Sequence, residues 1–365
     1  MQKAYATPMT GAAATAAATE RFRQRIAAPD PGHFRPLQDL WASSIGLGTY
    51  LGEADDATDA RYAEAIRAAL ARGCNVLDTA INYRGQRSER TIGAALQQLI
   101  ADGAITREEV ILCTKGGYLV EPILDAGLAA PEEIASGCHC LAPAYLDHAL
   151  RTSLANLRVQ TIDVYYLHNP EQQLDEVGRE AFLARMEAAF TLLEQRVHSG
   201  AIRYYGIATW HGLRRHPKAK DALSLATLAA LAARVGGPAH HFRVIQLPYN
   251  LAMPEAFAFA NQPINGQPLT ALAAAQRLEL SVVCSASLLQ GQLSGLPDNL
   301  GSYIPGLSTS AQRAVQFARS TPGITTALVG MQRTAHVEDV LELARLPVMP
   351  AEQLARLFDR TRRGT

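Results

Sequence analysis

A chain of 365 residues is long enough for one large domain or two ordinary ones, and 48% hydrophobic against 19% charged residues excludes a disordered or fibrous protein. The 34 basic and 34 acidic side chains cancel, and the tail cluster of Arg360, Arg362 and Arg363 is too short to argue for nucleic acid. No apolar run approaches the roughly 20 residues of a membrane span, so neither nucleic acid nor a membrane is expected as a partner.

In chain order, residues 1–33 begin with an Ala/Thr-rich stretch that lacks the continuous apolar core of a signal peptide, and they read as a flexible or loosely attached leader. FRPLQDLW then suggests a hairpin near 34–42, opening a single domain over 34–365. Strands are predicted at 43–48, 75–80, 110–115, 161–168, 201–208, 243–247, 281–286 and 324–330. Between and after them, helical periodicity marks 58–72, 88–102, 143–157, 177–199, 219–235, 267–278, 308–318 and 334–345. Most of the strands are largely apolar rather than strictly alternating, as in a parallel sheet covered on both faces. Eight strand–helix units point to a (β/α)8 barrel, with a doubly wound open sheet as the alternative. Residues 116–142 are too long for an ordinary strand-to-helix loop, and AEQLARLFDR adds a helix at the end.

The five cysteines, an odd number, read as reduced thiols in a reducing compartment and hence a cytoplasmic protein, with Cys74, Cys113 and Cys284 as core residues. Cys138-His139-Cys140 lacks a second ligand pair at a suitable spacing, so no metal is expected.

Polar residues interrupt the apolar strands at their C-terminal ends, where a barrel places its chemistry. Strand 2 ends near Asp78 with Tyr83 beyond it, strand 3 in Lys115, strand 4 in His168. Each alone has a plainer reading, as a cap, a packing residue, a surface charge or a turn residue. Together they form a coherent group. A Lys115 ammonium lowers the pKa of a nearby Tyr83 phenol from about 10, Asp78 holds the lysine, and His168 donates to the same substrate oxygen. Such a phenol can give a proton to an oxygen gaining negative charge.

The segments GLGTYLG, LDTAINYRGQRSERTIG, VILCTKGG, IDVYYLHNPE, RYYGIATW, IQLPYN and SASLLQGQL resemble, in order and spacing, those of the aldo-keto reductases, over about residues 34–346. The resemblance implies a (β/α)8 barrel enzyme binding extended NADP(H), with NAD(H) possible, and reducing a small carbonyl substrate (an aldehyde, ketone or sugar). It makes Tyr83 the proton donor, Asp78 and Lys115 its tuners, and His168 the aligner of the carbonyl. It places Gly48, Thr49, Tyr50 and Asp78 at the nicotinamide end, with Gln246 on the carboxamide. Leu288, Leu289, Gln290 and Gly291, within the run to Leu293, then offer backbone N–H groups to the pyrophosphate. Gly330, Met331, Gln332, Arg333, His336 and Asp339 take the adenosine end, Arg333 meeting the 2′-phosphate.

Departures from the family pattern are Ala208-Thr209 for the usual Ser-Asn, leaving Thr209 one hydrogen bond to the carboxamide; Ser285 for a tyrosine under the ring; and Asp339-Val340 for Glu-Asn. Tyr50, Tyr83, Tyr118, His168 and Trp210 are the expected substrate walls. Two other readings stay open: a Schiff-base enzyme using Lys115 on the same scaffold, and a slow-turnover regulatory or binding protein of this fold, like the potassium-channel β subunits. Nothing in the sequence fixes the oligomeric state.

Overall fold

The structure is a computed structural model and describes residues 11–120, 127–295 and 301–361. Part of the 116–142 insertion, the first ten leader residues, and Arg362 and Arg363 of the tail lie outside the described residues.

Its strands are β1 (Phe34–Leu37), β2 (Leu40–Ser43), β3 (Ile45–Gly48), β4 (Val76–Asp78), β5 (Ile111–Gly116), β6 (Ile134–Ala135), β7 (His139–Cys140), β8 (Ile162–His168), β9 (Ile202–Ala208), β10 (Phe242–Pro248), β11 (Ser281–Ser285) and β12 (Thr326–Gly330). The helices are α1 (Ala16–Arg25), α2 (Asp56–Ala71), α3 (Arg87–Ala101), α4 (Pro143–Leu157), α5 (Gln173–Glu176), α6 (Arg179–His198), α7 (Leu225–Gly236), α8 (Glu255–Ala258), α9 (Ala271–Arg277), α10 (Ser310–Ser320), α11 (Thr334–Leu341) and α12 (Ala351–Thr361).

β3, β4, β5, β8, β9, β10, β11 and β12 pair in parallel and close on themselves, β12 returning to β3. This is the eight-stranded (β/α)8 barrel, not the open sheet. The strand interiors are largely apolar because both faces are covered. Val76, Ile111, Val164, Val244, Val283 and Leu328 fill the barrel, while a larger apolar layer separates the strands from the helices. The expected hairpin is present as β1–β2, turning at Gln38 with positive φ, and its Leu37, Leu40 and Ala42 join the same interior cluster. Cys74, Cys113 and Cys284 are buried core residues, as expected; Cys140 is buried too, and Cys138 is exposed.

The leader departs from expectation. From residue 16 it is helical, capped by the Thr15 hydroxyl on Ala18 N–H, with Ala14, Ala18 and Phe22 fully buried. Phe22 packs edge-on against Phe34, and Thr19 accepts from Trp41 N–H. Ala14 N–H donates at 2.6 Å to Asp163, a buried carboxylate paired with Arg107 at 2.8 Å. Alanine-rich composition disguised the segment, since alanine is the best helix former and lets a helix pack closely on its neighbours. Other boundaries differ modestly. α7 starts at Leu225 rather than 219, after turns through 211–221, and the final turn of the predicted 334–345 helix tightens into a 3₁₀ segment, Glu342–Arg345.

Candidate active site

All four predicted catalytic residues meet at the C-terminal mouth of the barrel. Lys115 Nζ lies 2.5 Å from Asp78 Oδ1 and 2.7 Å from the Thr79 carbonyl oxygen, and both partner side chains of the ion pair are buried. Gln246 Nε2 donates to the other Asp78 oxygen at 2.7 Å. The Lys115 ammonium sits 5.0 Å from the Tyr83 ring centroid. His168 approaches Tyr83 edge-on, centroids 5.9 Å apart, while Tyr50 packs on Tyr83 from another side at 5.0 Å.

The loop carrying Tyr83 is unusual. Arg84, Gly85 and Gln86 all have positive φ, a conformation that costs a non-glycine residue roughly 1 kcal/mol or more. It is held by Arg84, whose guanidinium donates to the Glu53 carbonyl at 2.8 Å and pairs with Asp59 at 2.5 Å. The strain therefore ties the Tyr83 turn to the loop leading from Tyr50 into α2.

Burial works against the Lys115 ammonium, yet the Asp78 carboxylate more than compensates and holds it above its ordinary pKa. Tyr83 corrects an expectation. Burial is the largest influence on its phenol, Lys115 opposes it and Asp78 adds to it, so the pKa is raised rather than lowered. Sequence reasoning weighed the nearby cation but had no measure of desolvation. Burial and the neighbouring Lys115 charge push His168 well below its usual value, leaving a neutral imidazole.

Two cavities meet here. One, of about 300 Å³, is lined by Gly48, Thr49, Tyr50, Asp78, Gln246, Ser285, Leu288, Gln290, Gly291, Gly330, Met331, Gln332, His336 and Asp339, all predicted cofactor residues, and by the predicted proton donor Tyr83. Leu51, Ser287, Ser294, Ala311 and Val340 also line it and were not foreseen as ligands; they become neighbours only once β11, β12 and α10 are assembled. The other, of about 380 Å³, is lined by the five predicted substrate residues Tyr50, Tyr83, Tyr118, His168 and Trp210, together with Asn82, Asn169 and Thr209. Tyr50 and Trp210 remain 54% and 39% exposed at its rim.

Three cofactor expectations change. Thr209 lines the second cavity, and its one hydroxyl hydrogen goes to Glu171 Oε1 at 2.6 Å, so it is not the carboxamide donor. Glu171, fully buried, also accepts from the backbone N–H of Trp210 at 2.9 Å and His211 at 3.1 Å, and so organises the whole loop after β9. Its signal was present in YLHNPE as an acid three residues past His168. In the Leu288–Leu293 run, the N–H groups of Leu289, Gly291 and Leu293 close turns on Ala286 and Leu288 instead of facing outward. The side chains of Leu289 and Arg333 do not line the first cavity; Arg333 is the exposed N-cap residue of α11, beside Gln332 in the wall.

The sequence matches the profile of the Aldo/keto reductase family over residues 44–296, and the chain belongs to that family. It is 30% identical over 186 residues to 6-dehydroglucose reductase of Novosphingobium aromaticivorans, a match covering 50% of this chain and 53% of that protein. Against the uncharacterized oxidoreductase YqkF of Bacillus subtilis it is 23% identical, over 89% of this chain and 94% of the other. The fold resembles an aldo/keto reductase from Klebsiella pneumoniae in complex with NADP and acetate (TM-score 0.62, 22% identity, 89% and 93% of the two chains). It also resembles an aldo-keto reductase from Bacillus halodurans in its holo form (TM-score 0.63, 21% identity, 89% and 95%).

Proposed function

We propose that this protein is an NADP(H)-linked reductase of small carbonyl compounds with Tyr83 as proton donor. The observation that carries the reading is the buried Lys115–Asp78 pair, 2.5 Å apart, with its ammonium 5.0 Å from the Tyr83 ring at the junction of the two cavities. Family membership and the NADP-bound Klebsiella relative support the cofactor.

The donor set of the first cavity suits a dinucleotide. Gln246 gives one Nε2 hydrogen to Asp78, so it can offer a ligand its amide oxygen, a partner for a carboxamide N–H, and its second N–H. Ser285 and Ser287 supply hydroxyls along the wall, and Leu288, Leu328 and Val329 supply apolar surface. Gly291, at positive φ with open space where a Cβ would stand, permits close approach of a ligand to the backbone. Gln332, His336 and Arg333 would hold the adenosine end, Arg333 from the rim. When bound, the reduced cofactor supplies the hydride.

The protein's own groups manage the proton. Burial keeps the Tyr83 hydroxyl protonated until charge develops on the carbonyl oxygen, and the proton then passes from its Oη to that oxygen. The Lys115 ammonium stabilises the phenolate left behind, Asp78 fixes the ammonium, and the neutral His168 imidazole can donate one N–H to the same oxygen. Tyr83→Phe tests this. Cofactor affinity, by fluorescence titration, should be retained, while the rate of aldehyde reduction should fall by about 10²- to 10⁴-fold. A near wild-type rate would mean that another acid acts.

A further inference from the structure

His168 has no side-chain tether of its own: its Nδ1 is buried without a hydrogen-bond partner among the described residues. Its ring is oriented by packing, against Tyr83 and, more closely, Tyr118, whose centroid is 4.9 Å away and edge-on. What holds these in turn comes from the insertion that a minimal barrel lacks. His139, on β7, is fully buried, and its Nε2 meets the His168 backbone oxygen at 2.6 Å. Its ring also packs edge-on with Tyr118 at 5.3 Å. On the other side, Gln173 Nε2 lies 2.8 Å from His139 Nδ1 and 3.1 Å from the His139 carbonyl oxygen.

These contacts fix the protons. Arg185 donates to Gln173 Oε1, which sets the amide orientation and turns its N–H toward His139. His139 Nδ1 must then accept and Nε2 must carry the hydrogen it donates to the His168 carbonyl. Burial agrees, lowering the His139 pKa to about 4 and leaving a neutral ring. The fit leaves no slack. A Cβ on Gly117, at φ +141°, would stand 2.8 Å from His139 Nε2 and 3.0 Å from the His168 oxygen. Cys140 N–H donates to the Gly117 carbonyl and Leu119 N–H to that of Cys138, both at 2.8 Å, stitching the insertion to the end of β5.

We infer that His139, locked as its Nε2–H tautomer by the His168 carbonyl on one side and by Gln173 and Arg185 on the other, is a positioning residue that sets the His168 imidazole and the Tyr118 wall for carbonyl binding. This is the role of the Cys138-His139-Cys140 motif. The consequence for turnover rests on the reductase reading above; the tautomer and its effect on His168 do not.

The test has two independent readouts. Heteronuclear NMR of the imidazole nitrogens in the full chain should show His139 neutral at neutral pH, protonated on Nε2 and bare on Nδ1. His139→Ala should displace the His168 imidazole signals without any cofactor present. With NADPH and a good aldehyde, His139→Ala should lower kcat by about ten- to a hundredfold, as expected when a reacting group is misplaced by about 1 Å. NADPH affinity should not change. His139→Gln retains an N–H for the His168 carbonyl and should restore most of the rate. Gln173→Leu keeps the ring and its Nε2–H, which the acceptor-only His168 carbonyl still requires, but takes the donor from Nδ1; the Nδ1 signal should move to that of an unbonded imidazole nitrogen, and the variant serves where the alanine variant does not fold. A proton on Nδ1, unmoved His168 signals in His139→Ala, equal loss in the Ala and Gln variants, or an unshifted Nδ1 signal in Gln173→Leu would each overturn the inference. A wild type that reduces no carbonyl overturns the proposed function instead, and the His168 signals still decide the role of His139.

Discussion

Replacing Lys115 by methionine should destabilise the protein far more than replacing both members of its ion pair. In the wild type the Lys115 side chain is 1% and the Asp78 side chain 4% exposed, and the carboxylate takes one donor from Lys115 and one from Gln246. Lys115→Met removes the charge and one of these donors, leaving a buried carboxylate with Gln246 as its donor. Stranding one partner of a buried pair typically costs about 3–5 kcal/mol, whereas replacing the pair by apolar groups of similar volume is often neutral or better. The double variant Lys115→Met/Asp78→Leu should therefore recover most of the loss, though Gln246 Nε2 then needs a new partner. Without the ammonium, burial is the main influence on Asp78 and raises its folded-state pKa above the unfolded value of about 3.9. A group raised in the folded state contributes stability below its unfolded pKa and loses it as pH rises through the folded one. The single variant should thus approach the double variant in acid and fall behind it as pH rises. Wild-type Lys115 is also raised, and the same sign applies, so its contribution is present at neutral pH and is lost above the ordinary lysine value of about 10.4. Urea unfolding of the single and double variants across this range is the assay. Equal stability of the two at neutral pH, or a single variant that gains on the double as pH rises, would refute the reasoning.

At the far end of the first cavity, Arg333→Ala should weaken NADPH binding by about ten- to a hundredfold, the worth of roughly 1.5–3 kcal/mol for a charge-assisted hydrogen bond to phosphate. NADH binding should be nearly unchanged in the same fluorescence titration; equal losses would remove Arg333 from the phosphate site, and a wild type that prefers NADH would mean that Gln332 and Asp339 already disfavour the phosphate. At the base, Phe22→Ala should cost about 3–5 kcal/mol in chemical denaturation, as for other fully buried aromatics. A loosely attached leader would show almost none of that.

The parts of the site legible in the sequence share one property: their signal is local. Asp78, Lys115 and His168 are polar interruptions of apolar strands, and the register of a parallel barrel carries strand ends to one mouth whatever the loops do. The parts that were not legible depend on contacts between distant segments. Glu171 matters because β9 delivers the hydroxyl of Thr209 to it from 38 residues away. His139 matters because the insertion folds back on the end of β8. The sign of the Tyr83 shift depends on how much water the assembled mouth excludes, which no spacing encodes. The leader helix was hidden by composition, since alanine and threonine look unstructured until something is found for them to pack against.

The departures from the family pattern acquire a common sense once placed. Thr209 is committed to the loop after β9 through Glu171. Val340 is almost fully buried on α11 and gives the first cavity apolar wall in place of a hydrogen-bonding amide. Asp339, although in the cavity wall, accepts from Thr309, the residue that caps α10. At Thr209 and Asp339 a side chain that could grip a nucleotide has been turned to holding the protein together, and at Val340 the polar group is missing. The four groups of the proposed proton-transfer end, by contrast, sit together, with the hydrogen bonds of Asp78 and Lys115 made among themselves, Gln246 and the Thr79 carbonyl. Divergence concentrated in the grip and absent from the proton-transfer group predicts a protein whose differences from its relatives appear first in cofactor affinity and preference, and only secondarily in the chemical step. Single-turnover rates at saturating cofactor, set beside the dissociation constants for NADPH and NADH, separate the two. A slow chemical step with tight cofactor binding would reverse that ordering and favour a regulatory role over a reductase.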